Sequence, residues 1–116
     1  MTPEEISKLR DQELNELIAV KRGWVKKHTK KAGTWFELWE GIKLLRITPD
    51  EPPDHCNSWT WTGELLEEIK HKIGRITFDD KYWCVWIWFE GGEHRTYAEI
   101  LTRAISEAYA IMECVE

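Results

Sequence analysis

The chain has 116 residues, with 16 Lys or Arg against 21 Asp or Glu and a formal net charge of −5 at pH 7. This length fits a single domain, residues 1–116, and is small enough that assembly into a homo-oligomer is a reasonable expectation. The acidic balance argues against general nucleic-acid binding and against membrane-surface binding. The N-terminal segment lacks a secretory pattern, and no apolar stretch approaches the roughly 20 residues that span a bilayer, so we expect a cytoplasmic protein.

The basic residues are concentrated in one segment. Residues 21–31, KRGWVKKHTKK, contain six Lys or Arg and no acid. The three cysteines, Cys56, Cys84 and Cys114, are far apart and form no CxxC pair, so we expect reduced thiols. The histidines are equally dispersed and show no HxxxH spacing. The sequence therefore predicts neither a metal site nor a cofactor.

The first half of the chain predicts a helix followed by a hairpin. Thr2, Pro3 and Glu5 form a capping box with proline in the first turn, and the apolar spacing that follows predicts a helix over about residues 3–21. WVKKH and WFELW flank the turn-forming TKKAGT segment and predict a β-hairpin. IKLLRI is compatible with a further strand, whereas TPDEPPDHCN, with three prolines, predicts a loop.

The second half repeats this order. A helix is expected to begin between Asn57 and Thr62 and to end near Gly74. RITF and YWCVWIWF, separated by an Asp-Asp turn, predict a second hairpin that Gly91-Gly92 terminates. Thr96, followed three residues later by glutamate, predicts a capping box that opens the last helix.

These elements predict an α+β fold in the order αββαββα, a three-layer α/β/α sandwich with a small, largely antiparallel sheet of four strands and helices on both of its faces. The segment 82–89 bears on this prediction because side chains alternate along a strand. Trp83, Val85, Ile87 and Phe89 share one face, and Tyr82, Cys84, Trp86 and Trp88 share the other. Neither face is polar. A central strand covered on both sides explains this pattern, and the alternative is an open aromatic platform for a ligand.

Several segments occur together in a characteristic combination: the MTPEEI start, Gly23-Trp24, the PPDHCNSW loop and AEILTRAISEAYAIM. Together they resemble a family of small uncharacterised phage and prophage proteins, the phage α/β/α-sandwich domain and its relative NinX. The family's central motif of aspartate, aromatic, cysteine and asparagine corresponds to Asp54, His55, Cys56 and Asn57, with histidine in place of the aromatic residue. The resemblance implies a phage origin and a three-layer fold, and it implies no reaction.

The loop 54–57 combines a carboxylate, an imidazole, a thiol and an amide at a predicted helix N-terminus, where a thiol is acidified and an anion is attracted. This makes Cys56 the candidate nucleophile of a Cys-dependent enzyme. His55 is poorly placed as its base, because neighbours in an extended loop point apart. We prefer the alternative that Cys56 is buried while Asp54 or Asn57 caps the helix.

The eight tryptophans exceed what a small core needs. Trp83 and Trp86 are interpreted as core residues, whereas Trp59 and Trp61 lie at a polar loop-helix junction where full burial is harder. The predicted ligand-binding residues are Trp59 and Trp61 for stacking, Lys26, Lys27, Arg75 and Arg95 for phosphate, and Asn57 for a base or ribose edge. The basic segment 21–31 is equally compatible with a solvated hairpin.

Two functional classes follow. The preferred hypothesis is a non-enzymatic phage accessory protein that binds a nucleotide-type signal of host defence and sequesters it. The alternative is an interaction protein that docks on a host or phage protein through exposed tryptophans and the basic hairpin. A Cys-dependent enzyme is the weakest of the three hypotheses, because only Cys56 supports it.

Overall fold

Two three-stranded antiparallel meanders alternate with helices along the chain. The computed structural model describes residues 1–115. Its elements are α1 (Pro3–Ser7), α2 (Asp11–Lys21), β1 (Trp24–Thr29), β2 (Gly33–Glu40), β3 (Lys43–Pro49), α3 (Trp59–Ile69), β4 (Ile73–Asp79), β5 (Tyr82–Phe89), β6 (Gly92–Ala98) and α4 (Leu101–Cys114). The first sheet has the order β1-β2-β3 and the second β4-β5-β6. The predicted α+β class and the antiparallel pairing are confirmed.

The predicted first helix is two helices. The capping box at Thr2 is present and opens α1, but a second capping box opens α2, where Glu13 Oε1 accepts from the Arg10 backbone N–H at 2.9 Å. In a continuous helix the Leu9 carbonyl would accept from the Glu13 amide. It accepts instead from Arg103 Nη2 at 2.7 Å, so a side chain from α4 satisfies the end of α1.

Each predicted hairpin gains a third strand. IKLLRI forms most of β3, and Gly91 turns the chain at φ 75° into β6 instead of ending the sheet. Thr96 is consequently a strand residue, and its hydroxyl donates to the Ala104 carbonyl at 2.8 Å. The predicted capping box at Thr96 is therefore wrong, and α4 begins at Leu101.

The two faces of β5 differ sharply in exposure. Val85 and Ile87 point inwards and are buried in one cluster with Ile105 of α4, which packs against β5 and β6. Tyr82 and Trp88, on the opposite face, are exposed. The predicted single sheet with helices on both faces is therefore wrong. The chain forms two sheets, and the second leaves its outer face open.

The first sheet has the same arrangement. Its inner face places Trp24 and Phe36 against Ala19 of α2 in a second buried cluster. Its outer face exposes Val25 and Ile47. The molecule is elongated and measures 46 × 28 × 25 Å. Among residues 1–115, no helix has the length and apolar character that crossing a bilayer requires.

Candidate functional site

Three cross-strand neighbours form a stack in the middle of the second sheet. Trp86 pairs with Arg75 on β4 and with Arg95 on β6, so the three side chains share the outer face. The guanidinium carbons lie 3.9 Å (Arg75) and 3.7 Å (Arg95) from the centroid of the indole. Arg75 and Arg95 approach from the strands on either side of β5, so the indole lies between them. The result is a pair of cations held on an aromatic support.

A hollow of about 330 Å³ lies beside this stack. Its lining residues are Gly74, Arg75, Trp86, Ile87, Trp88 and Glu93. Trp88 is 57% exposed, and Glu93 on the neighbouring strand β6 is its cross-strand partner. Gly74 contributes no side chain, and a Cβ at this position would lie 3.6 Å from Trp88 Nε1. The hollow therefore combines an indole wall, a cation and a carboxylate in a volume typical of small-molecule sites.

Other polar groups complete this surface. Tyr97 is 56% exposed on the same face, and the interaction of its phenol oxygen with Arg95 raises the pKa of that guanidinium. Glu93 Oε1 lies 3.4 Å from Arg95 Nε. The indole N–H of Trp86 is buried and has no acceptor within residues 1–115. We call this surface the platform; it consists of Gly74, Arg75, Trp86, Trp88, Glu93, Arg95 and Tyr97.

The platform contains two of the seven predicted ligand-binding residues, Arg75 and Arg95. Trp86, which was interpreted as core, is the indole that brings them together. The sequence did contain a signal for this arrangement, because Trp86 and Trp88 alternate with the apolar residues of β5 and both arginines lie on neighbouring strands. The signal was missed because the outer face was assumed to be covered.

The two tryptophans predicted to stack on a ligand lie at the start of α3. Trp61 is half-buried, with its ring centroid 5.7 Å from that of Trp24 and 6.0 Å from that of His55. The guanidinium of Arg46 lies 5.2 Å from the Trp61 ring. Trp61 is therefore engaged in packing between α3 and the first sheet. Trp59, two residues earlier in the helix and therefore on a different side of it, is exposed.

The remaining predicted residues lie on other elements. Lys26 and Lys27 are on β1, where the Lys26 ammonium forms an ion pair with Glu16 at 3.0 Å. Asn57 donates to Asp11 Oδ2 at 3.0 Å. The structure thus distributes the seven residues over the platform, the start of α3, the loop before it and the first sheet.

The loop 54–57 is held from the inside by bonds to its backbone. The side chains that bond to its backbone are Asn15, Thr62, Thr102 and Ser106. Cys56 itself has no exposed surface, and its amide donates to an oxygen of Asn15 at 3.0 Å. The loop is therefore a structural junction, and the preferred interpretation of Cys56 as buried is confirmed.

Arg103 fixes this junction to the N-terminal helices. Its Nη1 donates to Asp11 Oδ1 at 2.9 Å and its Nε to Glu107 Oε2 at 3.0 Å, while Nη2 reaches the Leu9 carbonyl. The side chains of Arg103 and Glu107 are only 12% and 5% exposed. Asn57 joins the same network through Asp11. The expected helix cap is absent, because Ser58 occupies the N-cap position and its side chain makes no capping bond.

Burial sets the protonation of the loop. Desolvation raises the pKa of the Cys56 thiol to about 12, against a smaller opposing effect of Arg103. Desolvation also lowers the pKa of His55 to about 4, assisted by the positive charge of Arg22. A protonated thiol and a neutral imidazole are the stable forms at pH 7. The protonated thiol is a poor nucleophile, and an imidazole with so low a pKa is a weak base for activating it.

The outer face of the first sheet has a different chemistry. Trp35 Nε1 donates to Glu37 Oε2 at 2.7 Å, and Trp39 Nε1 donates to Glu37 Oε1 at 2.8 Å. These bonds lower the pKa of the Glu37 carboxyl. Val25, Leu44 and Ile47 on this sheet are exposed. We call this surface the first-sheet face; it consists of Val25, Trp35, Glu37, Trp39, Leu44 and Ile47.

In the part of the chain that the structure describes, no group of three His, Cys, Asp or Glu residues is arranged to hold a metal ion. No family model matches the chain, and no curated protein is significantly similar to it. The site is therefore assigned from its geometry and chemistry alone.

Proposed function

We propose that this protein binds and sequesters a nucleotide-type anion on the platform, without chemical conversion. The observation that supports this most directly is the indole of Trp86 held between Arg75 and Arg95 at 3.9 and 3.7 Å. A guanidinium that stacks on an aromatic ring through its flat face keeps its N–H groups directed outward in its own plane, where they can donate. A phosphate accepts such donors in bidentate geometry, which Arg provides better than Lys.

The two arginines have little internal competition for their charge. Among residues 1–115, Arg75 forms no ion pair, and the only carboxylate that pairs with Arg95 is Glu93, at 3.4 Å. That distance is longer than a strong charge-assisted hydrogen bond, so an incoming phosphate can replace the carboxylate. Positive charge is therefore available at the platform although the whole chain is acidic.

Aromatic surface next to these cations supports a ligand that contains a base. Trp88 is exposed beside the hollow, and Tyr97 is exposed beside Arg95. Stacking of a base on such a ring contributes about 1–3 kcal/mol. Because Cys56 and His55 are buried and the Cys56 thiol stays protonated at neutral pH, binding without chemistry is favoured over a Cys-dependent enzyme. A phage origin, a cytoplasmic location and a homo-oligomeric state are further parts of this proposal.

The first-sheet face supports the alternative, docking on a host or phage protein. Its exposed apolar residues and its two indoles, together with the basic turn between β1 and β2, fit a protein surface. The carboxylate of Glu37 lies between the indoles and repels a phosphate. This face is therefore suited to a protein partner and unsuited to a nucleotide.

The proposal is tested by incubating the purified protein with a small-molecule extract of phage-infected cells. After washing and heat denaturation, mass spectrometry of the released material should show an intact nucleotide. Arg75→Gln and Arg95→Gln should each reduce the released amount at least fivefold, whereas Lys27→Gln, which removes the same charge from β1, should not change it. Release of a converted nucleotide would support an enzyme, and release of nothing together with capture of one dominant protein would support docking.

A further inference from the structure

Building on the proposed function, we infer that the hollow beside Trp88 is a base-binding subsite selective for guanine, with Glu93 as the residue that recognises it. The inference identifies the class of nucleotide and the orientation in which it binds. It depends on the platform being the binding surface, and its test is designed to fail separately from that proposal.

The hollow exists because β4 is irregular at its start. The register between β4 and β5 shifts between Ile73 and Arg75, which places Gly74 at a bulge beside Trp88. A Cβ at Gly74 would meet Trp88 Nε1 at 3.6 Å and the Trp86 carbonyl at 3.8 Å, so any larger side chain would enter the hollow. A bulge with glycine leaves room on one side of an exposed indole. A planar base fits this space and stacks on Trp88.

The carboxylate in the hollow determines which base is preferred. Glu93 pairs with Trp88 across the strands, and its side chain is 38% exposed. A carboxylate at neutral pH accepts hydrogen bonds and donates none. The edge that guanine presents for pairing has two adjacent N–H donors, from the ring nitrogen N1 and the 2-amino group. These donors match the two oxygens of a carboxylate in bidentate geometry.

The other bases match less well. Adenine and cytosine each present one amino donor next to an unprotonated ring nitrogen, whose lone pair repels the second oxygen. Uracil and thymine present one N–H donor between two carbonyl oxygens, so the carboxylate meets repulsion on either side. Hypoxanthine retains the N1 donor of guanine and lacks only the 2-amino group. Glu93 therefore distinguishes guanine from each of these by at least one hydrogen bond.

The arrangement of charges fixes the orientation of the ligand. Trp88 and Trp86 are two residues apart on one face of β5, which corresponds to roughly 7 Å along a strand. This is comparable to the separation between a base and its 5′-phosphate. Glu93 repels a phosphate from the hollow, whereas Arg75 and Arg95 attract it to the neighbouring stack. The base therefore lies on Trp88 and the phosphate on the arginines.

The test is isothermal titration of the wild-type protein with GMP, IMP and AMP under identical salt conditions. GMP should bind about tenfold more tightly than IMP or AMP, in line with the discrimination that a bidentate contact provides. Glu93→Gln should weaken GMP about tenfold and strengthen AMP, because an amide offers one acceptor and one donor, which match the 6-amino group and the N1 lone pair of adenine. Gly74→Val should weaken all three, while the matched variant Gly63→Val, where a Cβ meets nothing within 4 Å, should bind like wild type.

The outcomes separate the two proposals. Equal affinity for the three nucleotides, or a GMP preference that survives Glu93→Gln, overturns guanine recognition by Glu93 and leaves the platform as a nucleotide site. If the protein incubated with infected-cell extract releases a nucleotide that contains no guanine, guanine recognition by Glu93 is likewise overturned and the platform remains a nucleotide site. Failure of the wild-type protein to bind any of the three, with no nucleotide released from the extract, overturns both proposals.

Discussion

The loop 54–57 and the platform differ in composition, and in each of them the exposure of the side chains is the opposite of what their residue types suggest. The loop combines acid, imidazole, thiol and amide side chains, which are typical of active sites, yet Cys56 and His55 are buried. The platform contains two tryptophans and a tyrosine, which are typical of cores, yet Trp88 and Tyr97 are more than half exposed. Residue type alone therefore predicts the wrong degree of burial in both places.

The physical reason lies in what each region must satisfy. The loop passes through the interior, so its backbone groups need partners, and the hydroxyls of Thr62, Thr102 and Ser106 provide them. The platform lies on the outer face of a sheet that is covered on one side only. Its aromatic surface is partly shielded by the guanidiniums stacked on Trp86. The comparison gives the loop a structural role and agrees with the proposal that the platform binds a ligand, and the following experiments test that division.

The largest expected effect is on thiol reactivity. Desolvation raises the pKa of Cys56 from its ordinary value of 9.0 to about 12, so the thiolate fraction at pH 8 falls about a thousandfold. In the folded protein iodoacetamide should modify Cys56 far more slowly than in urea, and more slowly than the half-buried Cys114. Peptide mass spectrometry at successive times measures each cysteine separately. Rapid modification of Cys56 in the folded state would contradict its burial and would support the hypothesis of a Cys-dependent enzyme.

The next largest expected effect is on the stability of the fold and concerns the buried ion pair between Arg103 and Glu107. Arg103→Met leaves the Glu107 carboxylate buried without its partner and removes the donor to the Leu9 carbonyl. We expect the free energy of unfolding to fall by about 3–5 kcal/mol, measured by urea titration followed by circular dichroism. Adding Glu107→Met should recover part of this loss, because the buried charge is then absent.

A surface ion pair provides the control for this measurement. Lys70 and Glu67 are one turn apart, and their side chains are mostly exposed. Lys70→Met should therefore change the free energy of unfolding by less than about 1 kcal/mol. A loss for Arg103→Met no larger than the loss for Lys70→Met would contradict the structural role of the junction.

A third effect is the dependence of stability on pH. Burial lowers the pKa of His55 to about 4, so between about pH 6.5 and pH 4 the unfolded chain binds a proton at this residue that the folded chain does not. Stability should therefore be complete above pH 6.5 and decrease by about 3 kcal/mol as the pH falls to 4. The nearby charges are Arg22, which lowers the pKa further, and Glu64 and Asp54, which oppose the shift.

The contribution of His55 is isolated by comparison with His55→Phe. The imidazole Nδ1 is buried and, within residues 1–115, has no hydrogen-bond partner, so an aromatic ring without nitrogen removes no bond at that atom. The difference in unfolding free energy between the two proteins should be independent of pH above about 6.5 and shift in favour of the variant as the pH falls from 6 to 4. A constant difference across this range would show that His55 does not titrate on unfolding.

The sequence predicted the fold to the extent that local signals determined it. The capping box at Thr2, the helices around α3 and α4 and both hairpin turns follow from residues close together in the chain. The interruption of the first helix did not, because it depends on Arg103, more than ninety positions away from Leu9. The segment that forms β3 was predicted only as compatible with a strand, and β6 was missed because Gly91-Gly92 was interpreted as a stop, whereas Gly91 at positive φ makes a hairpin turn.

The site was predictable in part. Alternation along β5 placed Trp86 and Trp88 on a common face, and residue type led to the prediction that Arg75 and Arg95 bind phosphate. Their convergence depends on strand register, and the openness of the face depends on where the helices pack. Neither is encoded in a short segment. Trp59 and Trp61 were favoured as ligand contacts because a polar loop precedes them, but that loop folds into the interior.

The smallest effect that we predict compares matched residues on the two sheets. Trp88 and Trp39 are both exposed residues of central strands, but the hydrogen bond of Trp39 goes to Glu37, whereas Trp88 borders the cationic stack. Trp88→Ala should reduce nucleotide affinity by about 1–3 kcal/mol, measured by calorimetry, because a stacking surface is lost. Trp39→Ala should leave affinity unchanged, and neither substitution should alter the free energy of unfolding as much as Arg103→Met does. Equal losses of affinity in both variants would show that nucleotide binding is not specific to the second sheet. That result would contradict the platform as the binding site.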